Sequence, residues 1–255
     1  MLTNSTTRFS NRVEDYVKYR PHYPVEIIPV LQQKYNISTN NLVLDIGAGT
    51  GISAELFLNA GYKVIAVEPN KEMREKSVEL LGSNANFIAK NGTAEDTGVE
   101  SNTIDVIICG QAFHWFDREK SRIEFQRVLR ENGKVLLLWN ERLTASAFES
   151  KYDELISTHG KDYVKVNHRN IDIESIKDFL HPGNMVLETF HNKQLFDFVG
   201  LQGRLLSSSY MPSYTDPAYT AMIDNLQKLF NKHEANGQVQ INYETKVYIG
   251  NFDVL

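Results

Sequence analysis

Between Leu42 and Trp139 short apolar runs alternate with amphipathic segments, the pattern of a parallel sheet covered by helices. The runs Leu42 to Ile46, Lys63 to Glu68, Asn86 to Lys90, Ile104 to Cys109 and Lys134 to Trp139 predict strands. Helices are expected between most of them. One runs from about Ile52 to Ala60 and stops at Gly61, and the next takes Asn70 as its N-cap and Gly82 as its terminating glycine. A third begins near Asp117 and ends before Gly133. After the fifth strand the rhythm changes. Met185 to Phe198 alternates as a strand does, and Tyr243 to Phe252 reads as a last strand, antiparallel to its neighbours. Between them Asp216-Pro217 supplies a helix cap and first residue, with Ala218, Met222, Leu226, Leu229 and Phe230 on one helical face before Gly237. The stretch from Arg142 to Leu206 is expected to hold a helical cap.

The chain has 255 residues, enough for one α/β domain with a small insertion. Its net charge of -5 argues against a surface built to grip nucleic-acid phosphates, which needs clustered Lys and Arg. Met1 to Ser10 is polar, and no segment reaches membrane-spanning length, so a cytoplasmic protein that touches no membrane is expected. The single cysteine, Cys109, follows Val106-Ile107-Ile108 and reads as a buried thiol. The seven histidines show no paired metal-ligand spacing, and no metal site is predicted.

Candidate chemistry begins at Leu44-Asp45-Ile46-Gly47-Ala48-Gly49-Thr50-Gly51, a strand ending in a glycine turn that opens a helix. Glycines there let the backbone approach a ligand and adopt turn conformations closed to other residues. The dinucleotide fingerprint wants its third glycine one place later, where this chain has Ile52. Asp45 would also meet a pyrophosphate with an unhelpful negative charge. S-adenosylmethionine carries no phosphate, and an acid beside the turn favours its ammonium and sulfonium groups. Glu68 ends the second strand where a ribose-hydroxyl acceptor belongs, because its two oxygens face vicinal hydroxyls as acceptors. A nicotinamide oxidoreductase and a non-catalytic or regulatory binder of the same sulfur nucleoside remain alternatives.

Beyond the turn, the chain resembles the class I S-adenosylmethionine-dependent methyltransferases, in the type 11, trans-aconitate methyltransferase-like group of small-molecule enzymes. The likeness rests on Asp45 to Gly51, Glu68, Gly92-Thr93-Ala94-Glu95, Gln111-Ala112-Phe113-His114-Trp115-Phe116-Asp117, Arg127-Val128-Leu129 and Tyr16-Val17-Lys18-Tyr19-Arg20-Pro21-His22-Tyr23-Pro24. It implies a Rossmann-like, mostly parallel sheet of seven strands with helices on both faces, the last strand antiparallel, and a helical cap. Within that frame 1–40 is the N-terminal cap, 41–140 the cofactor-binding core, and 141–255 the cap insertion with the last two strands. The cofactor contacts implied are Asp45, Gly47, Ala48, Gly49, Gly51, Glu68, Pro69, Thr93, Ala94, Glu95 and Gln111, with Tyr19 and Arg20 from an N-terminal lid. Thr93 stands where related enzymes have an adenine-binding acid, so its hydroxyl would accept that bond more weakly. Arg20 suits a carboxylate of the cofactor or of an acidic substrate. His114, Trp115 and Tyr23 are expected beside the acceptor, His114 serving as base if the acceptor must lose a proton.

Overall fold

Leu42–Ile46 (β1) pairs in parallel with Lys63–Val67 (β2) on one side and with Ile104–Gly110 (β4) on the other. As a central strand covered by helices on both faces, it is apolar at every position but Asp45. The computed structural model describes residues 13–161 and 173–252. Phe87–Lys90 (β3) extends the sheet beyond β2, and Leu129–Arg142 (β5) extends it beyond β4. Val239–Gly250 (β7) then inserts antiparallel between β5 and the edge strand Met185–Phe196 (β6), giving the order β3-β2-β1-β4-β5-β7-β6. The strand order reverses between β1 and β4, so a crevice opens at the carboxyl ends of those two strands.

Alternation along the strands sorts the two faces. Val43, Val106, Ile108, Leu136 and Leu138 pack on one side with helices α2 (Ile27–Tyr35) and α3 (Ile52–Asn59). Leu44, Ile107, Cys109, Leu137 and Trp139 pack on the other with α5 (Arg118–Val128) and α7 (Ile173–Leu180). Helix α4 (Lys71–Leu81) connects β2 to β3. A separate apolar cluster joins α6 (Ala147–His159), α8 (Phe198–Leu206) and α9 (Tyr219–His233) to the outer ends of β6 and β7. This is the helical cap, and the part of it expected between 162 and 172 lies outside the described residues, as do the first twelve of the N-terminal segment. No helix among the described residues is long and apolar enough to cross a membrane.

Several boundaries differ from the sequence expectation, each for a tertiary reason. Helix α5 ends at Val128, before Gly133 as expected, and β5 starts at Leu129 rather than Lys134 because Leu129 pairs with Ile104, across a register shift in the β4–β5 ladder. The predicted strand from Met185 ends at Phe196 because Asp197 caps α8, accepting a hydrogen bond from the Gly200 amide at 2.7 Å. β7 starts at Val239, ahead of Tyr243, because β6 offers it a partner along its whole length. Asp216-Pro217 does not open α9. Asp216 accepts a hydrogen bond from the Ala218 amide at 3.0 Å, closing a turn, and the helix begins at Tyr219.

The chain from Arg20 to Pro24 follows α1 (Val13–Tyr19) as a strap across the crevice. Asn140, at the end of β5, donates through Nδ2 to the carbonyls of Pro21 and His22 at 3.2 and 3.3 Å. Asn192 adds a 2.7 Å bond to the His22 carbonyl, and Asn140 Oδ1 accepts from Asn192 and Thr245. Loop carbonyls that burial would otherwise leave unsatisfied are thereby paired.

Candidate functional site

The glycine turn leaves β1 with Gly47 at φ 67° and Gly49 at φ 57°, both in the left-handed region. The amides of Gly47 and Ala48 donate to the Val67 carbonyl at 2.9 and 3.2 Å, so the end of β2 fixes the path of the turn. A Cβ at Gly47 would stand 2.6 Å from that of Ala112, whereas one at Gly49 would meet nothing within 4 Å. The turn therefore presses against the β4 loop at one glycine and faces open space at the other.

That space is a cleft lined by Gly47, Gly49, Glu68, Pro69, Thr93, Ala94, Glu95 and Gln111, all expected there from sequence, and by Trp115, which was expected beside the acceptor but does not line the second cleft. Tyr16, Asn70, Met73 and Phe116 complete the wall. The Glu68 carboxylate takes one backbone amide on each oxygen, from Asn70 and Gly49, both at 2.8 Å. An ionised carboxylate has about four acceptor positions, so two remain for a ligand's hydroxyls. Burial pushes the Glu68 carboxyl up, and the Asn70 and Gly49 amides with the Arg74 charge pull it back.

The loop after β3 departs from expectation. Thr93 Oγ1 accepts from the amides of Glu95 and Asp96 at 3.2 Å each, so its oxygen closes a local turn rather than waiting for an adenine amine. Glu95 Oε1 accepts from the Asp117 amide at 2.9 Å and holds the start of α5. Both residues still line the cleft, and the Ala94 backbone lies between them.

A second cleft adjoins the first through shared Tyr16, Gly110 and Gln111. Arg20 and Tyr23 of the strap line it, opposite Ser53, and a Cβ on Gly110 would lie 2.8 Å from Tyr23 Oη and 2.9 Å from Ser53 Oγ. The missing side chain keeps the passage open. Gln111 sits at this seam with φ 57°, a conformation costly for a residue with a Cβ. Its Nε2 donates to the Asn140 carbonyl at 3.3 Å, while its buried Oε1 has no hydrogen-bond partner among the described residues. Arg20 stacks its guanidinium over the Tyr16 ring at 5.0 Å and donates to the Ser207 carbonyl at 3.0 Å. Burial and the neighbouring Arg204 charge both lower its pKa. Arg204, Arg142, Tyr210 and Tyr243 come from the cap and β-strand ends to close this cleft. Arg204 escaped the sequence reading, although a lone arginine inside the apolar helix Phe198 to Leu206 was the available signal.

Other expected residues fall outside both clefts. Asp45 is wholly buried behind the turn, its Oδ2 taking the Ser53 hydroxyl at 2.6 Å, so it does not face a cationic ligand directly. Burial raises its pKa to about 7, against the Ser53 bond, which lowers it. A buried acid whose folded pKa exceeds the unfolded one favours folding below about pH 4, and that contribution is lost as pH rises through about 7. Asp45→Asn is therefore expected to flatten the decline in melting temperature between those limits, seen in thermal melts across pH; an unchanged profile would refute it. Ala48 and Gly51 shape the turn without lining it, Gly51 serving as the residue before α3. Tyr19 packs instead against α8, where a Cβ on Gly203 would lie 2.0 Å from its ring. His114 lies in the short turn Phe113–Trp115 with its ring 4.7 Å from that of Trp115. Burial lowers its pKa to about 4, which does not suit the proton acceptor expected there.

Residues 44–137 match the family described as Methyltransferase domain. An uncharacterized methyltransferase of Schizosaccharomyces pombe is 24% identical over 94% of this chain and 95% of its own length. An uncharacterized methyltransferase of Mycobacterium tuberculosis is 34% identical over 152 residues, 60% of each chain. The fold superposes on a structure from Anaeromyxobacter dehalogenans, provisionally described as a type II methyltransferase, with a TM-score of 0.71 at 17% identity, covering 92% of this chain and 98% of that one. Haemonchus contortus phosphoethanolamine N-methyltransferase 2, solved with S-adenosyl-L-methionine, gives 0.58 at 14% identity, covering 98% of this chain and 59% of that one. At such identities these superpositions establish a common fold.

Proposed function

Because the chain belongs to the S-adenosylmethionine-dependent methyltransferases, and S-adenosyl-L-methionine is its cofactor, we propose that it methylates a small-molecule acceptor by in-line displacement where its two clefts meet. The observation that carries this reading is the seam itself. One cleft gathers the glycine turn, Glu68 and the Ala94 loop, and it opens past Gly110 into a second, enclosed by the strap and the cap.

The residues present fit the cofactor. Gly49 faces open space, Glu68 keeps acceptor positions for a ribose, and Gln111 offers an unpaired carbonyl oxygen at the seam. When bound, the cofactor supplies a methyl group already activated by its sulfonium charge. The protein's task is then to position and to exclude water, and alignment of reactants can supply roughly 7 to 11 kcal/mol of the barrier in the best cases. The strap, pinned by Asn140 and Asn192, covers the seam. Arg20, stacked on a ring that borders both clefts, is placed to hold the cofactor carboxylate. Arg20→Met is expected to raise the KM for cofactor about tenfold or more, the loss of a charge-assisted bond, while turnover at saturation changes little. Unchanged KM would remove Arg20 from this role.

Enclosure and a net charge of -5 favour a small acceptor over nucleic acid. A cytoplasmic setting belongs to the same reading. The decisive experiment is an acceptor screen read by S-adenosylhomocysteine formation. Turnover of small molecules would support the proposal, whereas tight cofactor binding without product across a broad panel would point to a regulatory binder.

A further inference from the structure

Strand β6 is a sheet edge without the usual protection. Its twelve residues pair with β7 in unbroken one-to-one register, with no bulge and no proline, so the outer edge is long and regular. The backbone groups on that edge follow from the ladder. The Leu143 amide donates to the Asn242 carbonyl at 2.9 Å, so even-numbered residues of β7 turn their backbone toward β5 and odd-numbered ones toward β6. The latter lie opposite even-numbered residues of β6, which leaves Leu187, Thr189, His191, Lys193 and Leu195 to present their amides and carbonyls outward. The Lys193 amide bonds its own neighbour, Asn192 Oδ1, at 2.8 Å, and no other described element takes up these groups. Side chains alternate in the same way. Glu188 bonds Lys34 and Tyr35, Phe190 packs on the α2 side of the core and Asn192 holds the strap, whereas the five odd-numbered side chains are exposed on the opposite face. Two of those five are apolar, Leu187 at 39% and Leu195 at 54% exposure.

We propose that this edge is occupied by β6 of a second copy of the chain, joined antiparallel about a two-fold axis at His191, so that two seven-stranded sheets become one. An axis perpendicular to a sheet keeps each face on its own side, so odd-numbered residues must meet odd-numbered ones. Centring on His191 sets Leu187 opposite Leu195 of the second copy, twice by symmetry, and Thr189 opposite Lys193. Each exposed leucine is then covered by another, and the two Lys193 charges stand apart. Neighbouring registers lose this match. Centring on Phe190 sets Leu187 against Lys193, and centring on Asn192 sets it against Asp197, beyond the strand. In the favoured register Lys193 exchanges Asn192 Oδ1 for the carbonyl of Thr189 across the axis. The five outward residues of each copy together form about ten backbone hydrogen bonds, as many as an interface of ordinary size carries. An unrelated extended peptide would satisfy the backbone alone, whereas a second copy also matches the leucine spacing at both ends.

The test is sedimentation velocity on the full chain, with disulfide trapping beside it. The wild-type protein is expected to dimerise at micromolar concentration. Leu187→Glu and Leu195→Lys should each weaken the dimer about tenfold or more, because each disrupts two symmetry-related apolar pairs. The double variant L187E/L195K should return to within about threefold of wild type, since the new opposite charges face each other across the axis. His191→Cys should give a disulfide-linked dimer under mild oxidation, its two Cα atoms lying about 5.5 Å apart. Thr189→Cys should not, being about 13 Å from its counterpart along the strand. The native Cys109 is buried and takes no part. All four altered side chains are exposed, and circular dichroism confirms that each variant folds. A wild-type chain that stays monomeric throughout the micromolar range would overturn the inference, as would a dimer indifferent to both leucine variants. Crosslinking through Thr189→Cys in place of His191→Cys, or no recovery in the double variant, would overturn the register. The measurement needs no cofactor, so its outcome is independent of the methyl-transfer reading.

Discussion

Glu68→Ala is expected to raise the dissociation constant for S-adenosylhomocysteine by about 10- to 100-fold, or roughly 1.5 to 3 kcal/mol, the usual worth of hydrogen bonds to a charged group. The effect has two sources. The ribose loses its acceptor, and the amides of Gly49 and Asn70 lose the carboxylate that orients the turn and the start of α4. Glu68→Gln separates them. Its amide nitrogen cannot accept from a backbone N–H, so one of the two loop bonds is lost although the shape is kept, and an intermediate loss of affinity should result. Calorimetry on both variants, with thermal melts of the free proteins, checks the claim. Wild-type affinity in Glu68→Ala would remove Glu68 from the cofactor site.

Gly47→Ala should cost about 2 to 4 kcal/mol of stability, adding a left-handed conformation to an overpacked contact. The new Cβ would stand 2.6 Å from Ala112 Cβ, and the Gly47 amide is tied to the Val67 carbonyl, so neither side yields easily. Gly49→Ala provides the contrast. It has a similar φ but open space around its Cβ, so it should lose only about 1 to 2 kcal/mol from backbone strain. Because that space is the proposed cofactor cleft, its larger effect should appear in S-adenosylhomocysteine affinity. Urea denaturation and calorimetry distinguish the two. Equal stability losses would contradict the packing argument.

The proposed cofactor half of the site was legible because its residues are local. A strand, a tight turn and a helix start form a contiguous stretch, and a second strand end places Glu68 beside it once the strands are parallel neighbours. The proposed acceptor half was legible only at Arg20, Tyr23 and Gln111. Its walls come from the strap, the β5 end, α8 and β7, residues from Tyr16 to Tyr243 that no sequence period relates. His114 illustrates the limit. A histidine beside a tryptophan in a group-specific run reads as a base, but burial, which depends on the whole fold, lowers its pKa to about 4. Thr93 shows it again, since its hydroxyl is occupied by the amides that follow it.

The amino-acid order by itself determined the layered α/β architecture, through alternation of apolar runs with amphipathic segments, and the tight turn after the first strand, through the spacing of Gly47, Gly49 and Gly51. Only the tertiary structure decided which charges lack partners. Pairing and burial are sums over every neighbour in space, so Asp45 became a buried anchor for Ser53, and Arg204, unremarkable in its helix, became a buried cation bonded to neutral hydroxyls at the second cleft.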